Sequence, residues 1–230
     1  MDFLFCLYVF LSLIAGGVLS LIISKIGNWK IDYLFSLSAG MIVGILCLEF
    51  IPHSFSHYQP LSIILGIGVG LLCMMIVMDQ YVHHSSKDES KSTFFLLLIA
   101  ITLHNAPSGF AMGNHADHEG HLYHLIILHH LPEGMALMML AIALKLKPHL
   151  IVTAFLYLTF SLYGFVLLGN IVTIKNDMIL GALLGVAIST MLYISIVELF
   201  LTSSKKANRF YHLLSLLTGI FILEVFLLIG

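Results

Sequence analysis

Two segments of the chain carry the same arrangement of chemically competent residues. One reads His104-Asn105-Ala106-Pro107-Ser108-Gly109-Phe110-Ala111, the other His129-His130-Leu131-Pro132-Glu133-Gly134-Met135-Ala136. Both follow His-x-x-Pro-x-Gly-x-Ala, and the copies are offset by 25 residues. On a helix, positions i and i+4 share a face. His129 and Glu133 therefore aim at one point with His130 off to one side, and His104 and Ser108 repeat that geometry. Imidazole nitrogens with a carboxylate suit Zn²⁺ and its first-row neighbours. They do not suit Mg²⁺ or Ca²⁺, which take all-oxygen shells. Pro107 has no N–H for the Leu103 carbonyl and Pro132 has none for that of Leu128. With Gly109 and Gly134 adding flexibility just beyond, the motifs predict two kinked helices lining one site. A lone intramembrane His or a lone Pro-Gly pair reads as ordinary helix packing. Three His, two Pro and a Glu at matched depth read as a binding site.

The elements that position these residues are apolar runs. Hydrophobic residues make up 60% of the 230 residues and charged residues 10%, against roughly 45–50% and about 25% in soluble domains. That excludes an ordinary soluble enzyme and a disordered chain. The net charge of −2 offers no basic field for nucleic acid. Runs of about 20 residues cross a hydrocarbon core as helices, and eight are present: Phe3–Ser24, Tyr33–Pro52, Leu61–Met78, Ser92–Asn114, Leu122–Leu144, Leu150–Ile174, Met178–Leu201 and Phe210–Gly230. The expected fold is an all-α integral membrane protein, with residues 1–230 as a single transmembrane domain. The first run lacks a small-residue cleavage site, so it is expected to stay as a span rather than leave as a signal peptide. Cys6, Cys47 and Cys73 lie in apolar runs and imply no disulfide framework.

Basic residues set the expected orientation. Lys25, Lys30, Lys87, Lys91, Lys145, Lys147, Lys205, Lys206 and Arg209 fall in alternate loops, and only Lys175 falls in an opposite one. By the positive-inside rule the loops 26–32, 85–91, 145–149 and 202–209 are cytoplasmic and both termini lie outside. The short connection between the fourth and fifth runs makes them antiparallel neighbours whose motifs meet at mid-membrane.

The paired motif resembles the ZIP (Zrt/Irt-like) family of divalent-metal transporters, whose fourth and fifth helices carry His-Asn-x-Pro-Glu-Gly-like sequences. Ser38-Ala39-Gly40-Met41 through Glu49-Phe50-Ile51-Pro52 is similar to that family's second helix, and Ala187 through Glu198, with Tyr193, to its seventh. The resemblance implies transport of a divalent ion, Zn²⁺ or else Fe²⁺, Mn²⁺, Co²⁺ or Cd²⁺, into the cytoplasm across the plasma membrane by a homodimer. Access would alternate as a bundle containing the fourth and fifth helices moves against the rest. Three positions depart from the family pattern. Ser108 stands where the fourth helix has Glu, His130 where the fifth has Asn, Asp or Glu, and Ser161 near the place where the sixth often has a carboxylate. One principal metal site is therefore expected rather than a binuclear centre: His104, His129 and Glu133, completed by Asn105, Ser108 or His130.

The metal is cargo; no cofactor and no catalytic residue is expected. No nucleotide-binding loop is present to hydrolyse ATP. A metal-dependent intramembrane hydrolase is the alternative, although His-Glu-x-x-His is missing. A family member that binds metal without moving it is another. Of the remaining polar residues, His115, Asp117, His118, Glu119, His121 and His124 read either as metal-collecting groups or as a solvated loop. His53 and His57 sit beside that mouth. His83-His84 read as a solvated turn, with Asp79 below the third run. Glu49 and Glu198 are either cation way-stations or carboxylates reaching the headgroups, and Glu224 has no evident partner. Met135, Met138 and Met139 read as packing. Gly66, Gly68 and Gly70, with Gly181 and Gly185, offer small faces for close approach, within the subunit or across a dimer.

Overall fold

The computed structural model describes residues 3–27, 30–84, 89–114, 120–201, 203 and 208–229. Eight helices among them are long and apolar enough to cross a membrane. They are α1 (Phe3–Gly27), α2 (Ile31–His57), α3 (Pro60–His84), α4 (Glu89–Asn114), α5 (Gly120–Ala143), α6 (Pro148–Ile171), α7 (Asp177–Leu201) and α8 (Arg209–Ile229). No strand occurs among the described residues. This is a multi-pass helical membrane protein. The boundaries follow local chemistry. The Asn176 side chain caps α7 by accepting from the Met178 N–H at 2.9 Å, and Pro148 opens α6 where its missing N–H costs nothing. Lys145 adopts the left-handed region (φ 52°), and the Leu146 N–H returns to the Ala141 carbonyl at 2.9 Å to close α5.

Several expectations shift. The third helix runs on past Met78 to His84, so Asp79 lies inside it and the backbone of His83-His84 is helical rather than a turn. The α2 ladder contains a π-helical turn at Leu46–Phe50, and α7 is π-helical over Ile194–Leu201; neither was visible in the hydropathy. Both α4 and α5 continue unbroken through Pro107 and Pro132. The expectations for His115, Asp117, His118 and Glu119, and for the side chains of His83, His84 and His121, lie outside the described residues.

The helices sort into two tiers. Over the apolar 18-residue stretch of each helix, between 61 and 72% is buried in α2, α4, α5 and α7, whereas in α1, α3, α6 and α8 the share is between 22 and 39%. Each outer helix packs along one inner helix: α1 on α5, α3 on α7, α6 on α4 and α8 on α2. Glycines make each of these contacts close. A Cβ on Gly16 would run into the Leu131 carbonyl, and one on Gly134 into that of Leu13. Gly66 and Gly185 meet Ala182 and Ile63 in the same way, Gly113 and Gly169 meet Val166 and Phe110, and Gly40 and Gly219 meet Leu216 and Leu37. Lipid tails are as apolar as Leu, so such backbone contact holds membrane helices together by dispersion that lipid cannot match. Gly66, Gly70, Gly181 and Gly185 are thus spent inside the subunit, while Gly68 faces open space. The methionines are packing as expected: Met135 and Met139 are buried with Leu34, Leu37 and Met41 between α2 and α5.

Candidate metal centre

The inner helices enclose a polar cluster in an apolar core. His104, Asn105 and Ser108 come from α4, and His129, His130 and Glu133 from α5; all six are buried, with Ser108 the most accessible at 4%. The i, i+4 spacing acts as expected on α5. His104, His129 and Glu133 each offer a ligand atom, and the three atoms lie within 4.8 Å of one another. A tetrahedral shell with bonds of ~2.0–2.1 Å places its ligands about 3.3 Å apart, closer than the 4.8 Å limit within which these atoms lie. The His104 and His129 rings meet edge to face at 5.4 Å, and the Phe50 ring of α2 stands edge-on to His129 at 6.0 Å.

Hydrogen bonding fixes what these side chains present. His104 Nδ1 lies 2.9 Å from the Ala187 carbonyl of α7, His129 Nδ1 3.1 Å from that of Leu125, and His130 Nδ1 2.6 Å from that of Ile126. A carbonyl only accepts, so each Nδ1 carries the proton and each neutral ring turns a lone pair outward on Nε2. All three Nε2 atoms are buried without a hydrogen-bond partner, as is Glu133 Oε2. Buried polar atoms are otherwise paired in folded proteins. Here four such atoms lie unpaired in one cluster. His130 Nε2 lies 3.8 Å from Glu133 Oε2. Such a cluster is stabilised by a cation. The carbonyls are the second layer that orients metal-ligating imidazoles.

His130 adjoins the group formed by His104, His129 and Glu133. Its ring lies 4.3 Å from that of His129, and its orphaned Nε2 adjoins Glu133. Asn105 is also turned inward, with both amide atoms buried and unpartnered. Ser108 donates its hydroxyl proton back to the His104 carbonyl at 2.9 Å, so only its oxygen lone pairs remain for an ion. His130→Ala is expected to weaken Zn²⁺ binding by roughly tenfold, the low end for loss of a supporting ligand. Titration calorimetry checks this, and unchanged affinity would return His130 to a packing role.

The motif glycines also act differently from expectation. Gly134 is the point at which α1 touches α5, and Gly109 packs against Leu162 and Phe165 of α6. They dock outer helices behind the site rather than loosen it. Ala187, Thr190 and Phe50 complete the surroundings; Thr190 Oγ1 lies 3.4 Å from His104 Nδ1. Nothing in the sequence singled these out, because a backbone carbonyl leaves no side-chain signature. Glu49 and Glu198 lie in the π-helical stretches of α2 and α7, both half-buried, and Glu224 is exposed on α8. Fold and site together define a class: a polytopic helical membrane protein with a buried His/His/Glu cluster that could hold a metal ion. No protein-family profile matches the chain, and no curated protein matches it significantly.

Proposed function

We propose that the chain is a transporter of divalent transition-metal ions of the kind the ZIP resemblance implies, moving Zn²⁺ or a chemically similar ion into the cytoplasm across the plasma membrane. The observation that carries this reading is the gathering of His104, His129 and Glu133, whose ligand atoms lie within 4.8 Å of one another and whose Nε2 and Oε2 atoms are buried without a hydrogen-bond partner. His104, His129 and Glu133 hold the ion, with Asn105, Ser108 and His130 around it. A single centre fits the serines at 108 and 161, since Ser161 spends its hydroxyl on the Leu158 carbonyl of its own helix. Few protein ligands around an open shell favour release as well as capture. Both termini lie outside, Pro107 and Pro132 give α4 and α5 the local freedom that alternating access uses, and the working unit is a homodimer.

A metal-dependent hydrolase is the second reading, since the same ligands could hold a zinc-bound water. It needs a general base, and among the described residues the cluster has Glu133 as its one carboxylate. Purified protein in proteoliposomes decides between them: Zn²⁺ flux with no cleavage of lipid or peptide is expected. Cleavage without flux would select the hydrolase, and saturable binding without either would leave a metal-binding protein. Single cysteines at Lys147 and Asn176, in a cysteine-free background, test the orientation. Impermeant label reaching position 147 from outside would reverse it.

A further inference from the structure

Of the three imidazoles in the central cluster, His104 alone is oriented from outside its own helix. His129 and His130 hold Nδ1 against the Leu125 and Ile126 carbonyls, four residues back on α5. His104 Nδ1 instead donates to the Ala187 carbonyl of α7 at 2.9 Å. The α5 ligands therefore keep their orientation when α5 moves. The orientation of His104 depends on how α4 docks against α7.

Thr190 is buried at that junction. Its Oγ1 lies 2.9 Å from the Val186 carbonyl, 3.0 Å from that of Ala187 and 3.4 Å from His104 Nδ1. The hydroxyl has one proton, and one of the two carbonyls takes it. Its lone pairs remain toward His104 as a second, longer acceptor for the same N–H, a three-centre arrangement. A hydroxyl bonded back to its own helix also bends that helix locally. Thr190 thus adjoins both partners of the bond that joins a metal ligand to α7. The same stretch of α7 is held from behind, since a Cβ on Gly70 of α3 would run into Ser189 and Val186. The glycines of α7 meet α3 and those of α4 meet α6. The α4–α7 seam that carries the bond therefore lies between two glycine-packed helix pairs, not within one.

We infer that Thr190 is a positioning residue of the central site: with the Ala187 carbonyl it holds His104 from α7, Nε2 presented to the ion, so that affinity depends on the docking of α4 against α7. The inference rests on the proposed metal site and adds what controls it. A dication drawing on Nε2 makes the Nδ1–H a stronger donor to its carbonyl. Occupancy therefore tightens the α4–α7 contact, and by linkage the docked contact raises affinity for the ion by the same factor. Separation of the two helix pairs is then the motion that lowers affinity for release.

Titration of the purified protein with Zn²⁺, read by calorimetry, tests it. Thr190→Val keeps the shape and removes the hydroxyl, and should weaken binding roughly tenfold, the low end for an outer partner of a ligating imidazole. Thr190→Ser should bind like wild type, which a packing role would not allow, because Ser lacks the methyl group. The visible absorption of bound Co²⁺ should change in Thr190→Val and not in Thr190→Ser. Combined with His104→Ala, Thr190→Val should cost nothing further, since the hydroxyl acts through that ring. Should Thr190→Val fail to fold, Thr190→Ala against Thr190→Ser makes the same comparison. Wild-type affinity in Thr190→Val, or an equal loss with and without His104, would overturn the inference and leave the central site standing. A wild type that binds no Zn²⁺ would overturn both.

Discussion

Glu133→Gln is expected to reduce Zn²⁺ affinity by at least about 100-fold, beyond the range seen when a supporting partner is lost, and to bring uptake to background. The exchange keeps size and shape, so packing does not cause the loss. Glu133 is the single carboxylate of the buried cluster. Without it a dication would sit among neutral imidazoles in an apolar core, with no countercharge to offset its lost hydration. The same change has an opposite effect on the metal-free protein. A Gln amide brings N–H donors next to the orphaned His130 Nε2, which Glu133 Oε2 already approaches to 3.8 Å. A satisfied buried acceptor recovers about 1–3 kcal/mol. Metal-free Glu133→Gln should therefore melt at or above the wild-type temperature. Zn²⁺ at 100 times its Kd stabilises wild type by about 2.7 kcal/mol, and the variant should not respond. Melting with and without Zn²⁺ reads both effects at once. An equal Zn²⁺ shift in variant and wild type would place the centre elsewhere.

Gly134→Ala is the second large effect, through packing rather than ligation. The added Cβ would overlap the Leu13 backbone carbonyl, and Gly16 brings α1 equally close to Leu131 from the other side. A backbone atom cannot rotate away, so α1 must move. Overpacking of this kind costs about 1–3 kcal/mol and sometimes more. Gly134 directly follows Glu133, so the displacement reaches the metal ligands, and Zn²⁺ affinity should fall along with the melting temperature. Gly68→Ala is the control. Its Cβ meets nothing within 4 Å, and helix propensity favours Ala over Gly by up to about 1 kcal/mol, so this variant should melt at or above wild type. If Gly134→Ala melts like Gly68→Ala, the α1–α5 contact does not hold the site.

The sequence by itself determined the spans and singled out the residues of the buried cluster. Hydropathy marks a membrane helix because every backbone polar group must be satisfied within it, so a long apolar run has few other options. His129 and Glu133 were legible as a pair because four-residue spacing on a helix is a local rule that tertiary contacts do not alter, and His104 because its segment repeats the same pattern. What only the tertiary structure decided was which faces meet. In lipid all apolar faces look alike to hydropathy, and partners are chosen by shape. Hence α1 lies on α5 and α8 on α2, and Gly134 serves contact where its place after a proline suggested flexibility. The partner of His104 Nδ1 is a carbonyl 83 residues away on α7, and backbone groups have no residue type to announce them. The His130 Nδ1 contact to the Ile126 carbonyl is a rotamer choice that sequence spacing does not contain. His212 of α8 shows the same division. It bridges Ser36 and Ser203 at 2.8 and 2.9 Å, joining three segments whose meeting no local pattern encodes, because it follows from how the whole bundle closes.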